Sequence, residues 1–214
     1  MKYTILVSLV ILVTMALFSC SAGPAGPAGA YSIAFRQGSL PSAAFSTAYD
    51  TFLYVNAPSS NYGTNTTGWV GDSVGAEHMA LQFVINGWLP TGAQVVDAVL
   101  TVYCPGWGNP GSVVAYSFEQ SWNEASSTWN SLGSGGTLSA SPISDPVSVS
   151  ATGYYDFRLA PGTVQEWVDG TGTSFGVVLR STTESGSQPD VEFAAKENNI
   201  VADRPMLTVY YRLP

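Results

Sequence analysis

Charge is scarce in this 214-residue chain, where Asp, Glu, Lys and Arg make up 10% of the residues against roughly 25% in an average soluble domain. Cations are scarcer still. Seven Lys and Arg face fifteen Asp and Glu, so no basic surface is available to neutralise a phosphate backbone, which excludes nucleic-acid binding. Two cysteines are too few for a disulfide-stapled scaffold, and no CxxC pair or Cys/His cluster of zinc spacing occurs. The one histidine, His78, has no partner nearby in sequence and reads as a solvated surface residue rather than a ligand or catalytic base. The chain also lacks a Gly-x-Ser-x-Gly elbow, a phosphate loop and a His-Glu-x-x-His pair. Its longest apolar run, Ile5 to Phe18, is shorter than the about 20 residues that span a bilayer.

That run has another use. Lys2 followed by Ile5 to Phe18 reads as the charged and apolar regions of a secretory signal, residues 1–19. Leu17-Phe18-Ser19-Cys20 resembles the bacterial lipobox, in which the cysteine receives diacylglycerol, so Cys20 is the expected lipidation site. The competing reading is ordinary signal cleavage with Cys20 incidental. Residues 20–30 carry two Gly-Pro-Ala triplets, too few for a triple helix, and read as a stiff tether holding the domain off a membrane surface. Cys104 ends an alternating apolar run and reads as a small core residue.

From residue 31 to residue 214 the chain is rich in aromatics, with 6 Trp, 11 Tyr and 9 Phe in the whole sequence, and alternates with period two between clusters of Gly, Pro, Asn and Ser. Strands are expected at Asp50–Val55, Thr67–Gly71, His78–Ile85, Val95–Cys104, Val113–Phe118, Tyr154–Phe157, Phe175–Arg180, Val191–Ala195 and Leu207–Tyr211. Thr163–Asp169 reads as the one helix: Thr163 and Glu166 have capping-box spacing, Val164, Trp167 and Val168 share a face, and Gly170 follows as a stop. The fold class is all-β, a jelly-roll-like antiparallel β-sandwich with one short helix plugging an open edge. Ser131 to Pro146 is expected to be a long surface loop within that unit.

An ordered set of short motifs runs through this unit. It includes Asp50-Thr51-Phe52-Leu53, Asn61-Tyr62-Gly63-Thr64-Asn65, Trp69-Val70-Gly71, Ser121-Trp122-Asn123-Glu124, Thr128-Trp129-Asn130, Val164 to Gly170, Glu192 to Glu197 and Arg204 to Tyr210. Together they resemble the DNRLRE domain, grouped with carbohydrate-binding module family 96. The resemblance implies a non-catalytic sandwich of secreted proteins, often appended to polysaccharide-degrading enzymes, with alginate binding in some members. The chain departs from that pattern where the family often carries Arg and Asp, having Gln82 and Val84, and where it often carries Ser-Arg, having Ala195-Lys196.

The expected function is a non-catalytic module for extracellular polysaccharide, lipid-anchored at the bacterial cell surface or outer membrane. The rival reading is a structural or adhesive envelope protein that contacts other proteins and no sugar. Trp107, in the Pro/Gly-rich segment Cys104–Gly111, and Trp88, in the turn Asn86–Pro90, are the candidate sugar contacts, because an indole set in a stiff turn presents its face to C–H groups of a sugar ring. Trp122, Trp129 and Trp167 read as packing residues. Few cations favour a neutral glycan, unless Arg158, Arg180 and Lys196 converge on one face. Glu119 with Glu124, or Glu192 with Glu197, can be imagined as carboxylate pairs for glycoside hydrolysis, and strand alternation argues against both. No cofactor is expected beyond a structural calcium, for which Asp50 and Glu192 are candidate ligands; the alternative is that both pair with Arg or Lys.

Overall fold

The computed structural model describes residues 25–72, 75–183 and 189–214, and of Trp107 the backbone alone. The signal segment and Cys20 therefore lie outside the described residues. Twelve strands and one α-helix follow one another as β1 Tyr31–Arg36, β2 Ala48–Tyr54, β3 Thr67–Gly71, β4 Glu77–Phe83, β5 Gln94–Cys104, β6 Gly106–Asn109, β7 Gly111–Ser117, β8 Val147–Val149, β9 Gly153–Leu159, α1 Pro161–Asp169, β10 Val177–Ser181, β11 Asp190–Ala194 and β12 Met206–Arg212. They form two antiparallel sheets. The smaller runs β1-β12-β5-β9; the larger runs β6-β11-β3-β4-β10-β7-β8, with β2 also paired to β4. This is the expected all-β sandwich.

Period-two alternation turns one face of each strand inward. Met79, Leu81 and Phe83 of β4, Val177 and Leu179 of β10, and Val191 and Phe193 of β11 meet Ala98, Leu100 and Val102 of β5, Phe157 of β9 and Leu207 and Val209 of β12 in the main core. Cys104 is buried among them as expected, its thiol donating to Gly106 O at 3.0 Å.

The helix begins earlier than Thr163. Pro161 opens it with the fixed φ of a first-turn residue, Ala160 is the N-cap, and no side chain caps the end, so the Thr163/Glu166 capping box does not form. Its stop is as expected: Gly170, at φ 67°, takes the left-handed conformation that L side chains resist. Val164, Trp167 and Val168 are buried in the main core. Gln165 ties the helix to β5 by accepting the Val95 N–H at 2.8 Å and donating to Ala93 O at 3.2 Å.

A second, smaller cluster lies apart from the main core. Leu53, Ala80, Phe118, Trp129, Leu132 and Val178 pack together, so the connection between β7 and β8 is no mere surface loop; it brings Trp129 and Leu132 down over β2, β4 and β10. His78 is corrected by the same packing. It is 5% exposed, and its ring lies 5.2 Å from that of Trp129. The described end of the tether also lies on the domain: Gly26 sits over the Tyr210 ring, where a Cβ would fall 2.1 Å from Cδ1, and Arg212 donates to Ala28 O at 3.5 Å.

Candidate functional site

Tyr49 of β2 and Gln82 of β4 stand opposite each other in the ladder. Thr51 with Ala80 and Leu53 with His78 follow along the same face. Leu53 and Ala80 disappear beneath the β7–β8 connection, whereas Tyr49 remains 37% exposed and Gln82 half-buried. The cover ends at Ser121-Trp122-Asn123-Glu124. Trp122 packs against the second cluster as expected, its ring 6.0 Å from Phe118 and its Nε1–H donating to Phe175 O at 3.0 Å, and being half-buried it also leaves part of its surface open.

Three depressions adjoin there. Gln82 is shared by the first, which reaches Glu166 and Trp167, and the second, lined by Tyr49, Trp122, Asn123 and Glu124. Trp122 and Asn123 are shared by the second and the third. Three neighbouring depressions thus line up as a groove, with aromatic surface beside amide and carboxylate groups. Sugar rings suit such a surface, since aromatic faces take their C–H groups and amides take their hydroxyls. The groove was invisible in the sequence because its walls come from positions 49, 82 and 122 and meet only through register.

Its wall is braced from behind. Asn61 Nδ2 donates to Glu124 O at 2.7 Å and to Ser127 O at 2.8 Å, clamping the 121–127 segment. Gly63 is needed for close approach rather than for a positive φ, because a Cβ there would lie 2.2 Å from Glu124 O. The Glu124 carboxylate accepts the Asp50 N–H at 2.8 Å and pairs with Lys196 Nζ at 3.2 Å.

Lys196 also pairs with Glu197, and its own N–H donates to Asp50 Oδ2 at 2.6 Å. Oxygens of Asp50, Glu124 and Glu197 lie within 4.8 Å of one another. Burial pushes the Asp50 pKa well above the usual carboxylate range; the Lys196 N–H opposes that rise, and Glu197 and Glu124 add to it. Burial works against the Lys196 charge, but its hydrogen bonds to Glu197 and Glu124 outweigh this and raise its pKa. Asp50 and Glu192 are thus not brought into one calcium site. Asp50 stands with Glu124 and Glu197, whose carboxylates the Lys196 ammonium pairs, and Glu192 stands on β11 between Trp69 and Gly106. The carboxylate beside Glu124 is Glu197, and Lys196 joins them.

Of the candidate sugar contacts, Trp107 lies in the edge strand β6, opposite Val191, instead of in a turn. Gly106 to Asn109 pair because a sheet edge offers unpaired backbone groups, whatever the turn propensity of the segment. Trp88 is 40% exposed, and its ring meets those of Phe35 at 6.1 Å and Phe45 at 5.6 Å edge-on, so it also covers part of the core. Arg158, Arg180 and Lys196 do not converge: Arg158 pairs with Asp97, Arg180 lies 5.2 Å over the Tyr116 ring, and Lys196 is held by its two glutamates.

Among the described residues no helix is long and apolar enough to cross a membrane. No curated protein matches the sequence. Residues 41–211, most of the chain and all but the first strand of the sandwich described above, match carbohydrate-binding module family 96. That match covers well over half of the sequence and the fold is the expected sandwich, so the chain belongs to carbohydrate-binding module family 96.

Proposed function

We propose that this protein is a non-catalytic module that holds a neutral extracellular polysaccharide in the groove between Tyr49, Gln82 and Trp122, anchored to the bacterial cell surface through a lipid on Cys20. Family membership supports the carbohydrate-binding part. The observation that carries the site is the Tyr49–Gln82 pair, left open where the β7–β8 connection stops and bordered by the half-buried Trp122. The choice of a neutral glycan rests on charge: Glu124 and Glu166 line the groove, and no Lys or Arg lines any of its three depressions. A polyuronate would bring like charge to those carboxylates. Gln82 also stands where the family resemblance leads one to expect arginine. Trp88 and Trp107 are retained as outlying contacts.

Binding of the purified chain to a panel of neutral and acidic glycans tests this reading. Tyr49→Ala is expected to weaken binding of the retained glycan about three- to tenfold, one aromatic contact's worth, with an unchanged melting temperature. Binding to no glycan overturns the function. A loss seen in Trp88→Ala or Trp107→Ala but absent in Tyr49→Ala moves the site to those residues. Release of the Cys20→Ala variant from the membrane fraction checks the anchor.

A further inference from the structure

A second acidic group lies on the larger sheet, away from the groove. Glu77, Gly71, Asp190 and Asn109 form one row across four neighbouring strands: Glu77 faces Gly71, Gly71 faces Asp190, and Asp190 faces Asn109. Glu77 is 5% exposed, yet its Oε2, fully buried, takes no hydrogen bond. A buried carboxylate oxygen without a donor is costly, and native proteins seldom keep one without a reason. That oxygen points at a cradle. A Cβ on Gly71 would sit 3.4 Å from Glu77 Oε2, 2.6 Å from the Pro189 carbonyl oxygen and 3.1 Å from Asp190 Cα. Only a glycine leaves this position open.

We propose that the cradle over Gly71 binds a calcium-class divalent cation, with Glu77 and the Pro189 carbonyl as ligands and Asp190 completing the charge. The donors are all hard oxygens, and none of the named residues is a His or Cys, which suits calcium and does not suit zinc. Glu77 Oε2 and the Pro189 carbonyl oxygen border one small space, 3.4 and 2.6 Å from the Cβ position of Gly71, within reach of a cation that takes oxygens at about 2.4 Å. The Pro189 oxygen already accepts the Asp72 N–H at 3.1 Å and keeps a second lone pair for the ion. The Asp190 carboxylate lies over Gly108 on the other flank, its Oδ2 2.6 Å from where a Cβ would be, and adds negative charge beside the cradle from there. The charges around Glu77 agree with the choice of a cation. Asp190 stands beyond Gly71 on β11, Asp72 follows β3, Tyr54 stands opposite it on β2, and Arg180 of β10 lies over the Tyr116 ring. The proposal does not depend on sugar binding.

The test is a calcium titration of the chelator-treated full chain, followed by calorimetry and by thermal unfolding, with Glu77→Gln and Glu197→Gln alongside. At a hundredfold excess over Kd, calcium is expected to raise the melting temperature of the unmodified chain by about 5 to 10 °C. The same rise is expected in Glu197→Gln, and none in Glu77→Gln. Glu77→Gln should fold, because it is nearly isosteric and removes a buried charge. No binding heat and no shift at about 10 mM calcium, beyond the weakest range of extracellular modules, overturns the proposal. An equal shift in Glu77→Gln, or a shift lost only in Glu197→Gln, overturns it as well.

Discussion

The two acidic groups of the larger sheet meet the same electrostatic problem in different ways. Around Asp50, Glu124 and Glu197 the chain brings its own cation, and Lys196 bridges two of the carboxylates while its backbone N–H serves the third. Beyond Gly71 from Glu77 stands another carboxylate, Asp190, and burial together with Asp190 raises the Glu77 pKa to about 7. Both groups retain one buried carboxylate oxygen without a hydrogen bond, Glu197 Oε2 and Glu77 Oε2, but only Glu197 has its other oxygen held by an ammonium. A buried carboxylate is tolerated when the fold places a counter-charge beside it. Otherwise it waits for a proton or an ion.

Removing the internal cation is the strongest way to break this contrast. Lys196→Met leaves three crowded carboxylates without their ammonium and should cost about 3 to 5 kcal/mol, measured by urea unfolding at neutral pH. A loss below about 1 kcal/mol would show that the lysine is not what balances the group. The opposite change sharpens the contrast. In chelator at pH 8, Glu77→Gln should gain about 2 to 3 kcal/mol, since the native carboxyl titrates near 7 rather than 4.5. The native state then holds its proton more tightly than the unfolded chain, so stability falls as pH rises from about 4.5 to about 7 and the deficit is complete above it. The variant should lose that slope, and an unchanged slope would clear Glu77 of responsibility. Gly63→Ala acts on the first group alone: its Cβ would meet Glu124 O at 2.2 Å, displacing the segment that carries Glu124 at a cost of about 1 to 3 kcal/mol. The same variant should weaken glycan binding, because that segment is the groove wall.

Much of the sandwich was legible because alternation is local. Thr67–Gly71 appears as read, and β4, β5, β11 and β12 differ from expectation by one residue at an end or little more. Tyr31–Arg36, Gly106–Asn109 and Val147–Val149 are strands the sequence does not announce; the last two are short and are strands only because an edge accepts them. The candidate site was less legible. Trp122 packs as its motif suggests, but nothing in the sequence pairs Tyr49 with Gln82, and nothing near His78 in sequence announces the Trp129 ring that covers it.

What the sequence by itself determined is the set of properties carried by neighbouring residues: the alternating strands, the amphipathic helix with its glycine stop, the scarcity of cations and the ordered family motifs. Tertiary structure alone decided which distant side chains share a dielectric. Lys196 reaches Glu124 across more than seventy positions, Gly63 exists for the Glu124 carbonyl, and Gly71 holds apart two carboxylates that are more than a hundred residues distant in the chain. Burial and Coulomb energy depend on separation in space. The chain order of these residues carries no trace of it until the sheets are in register.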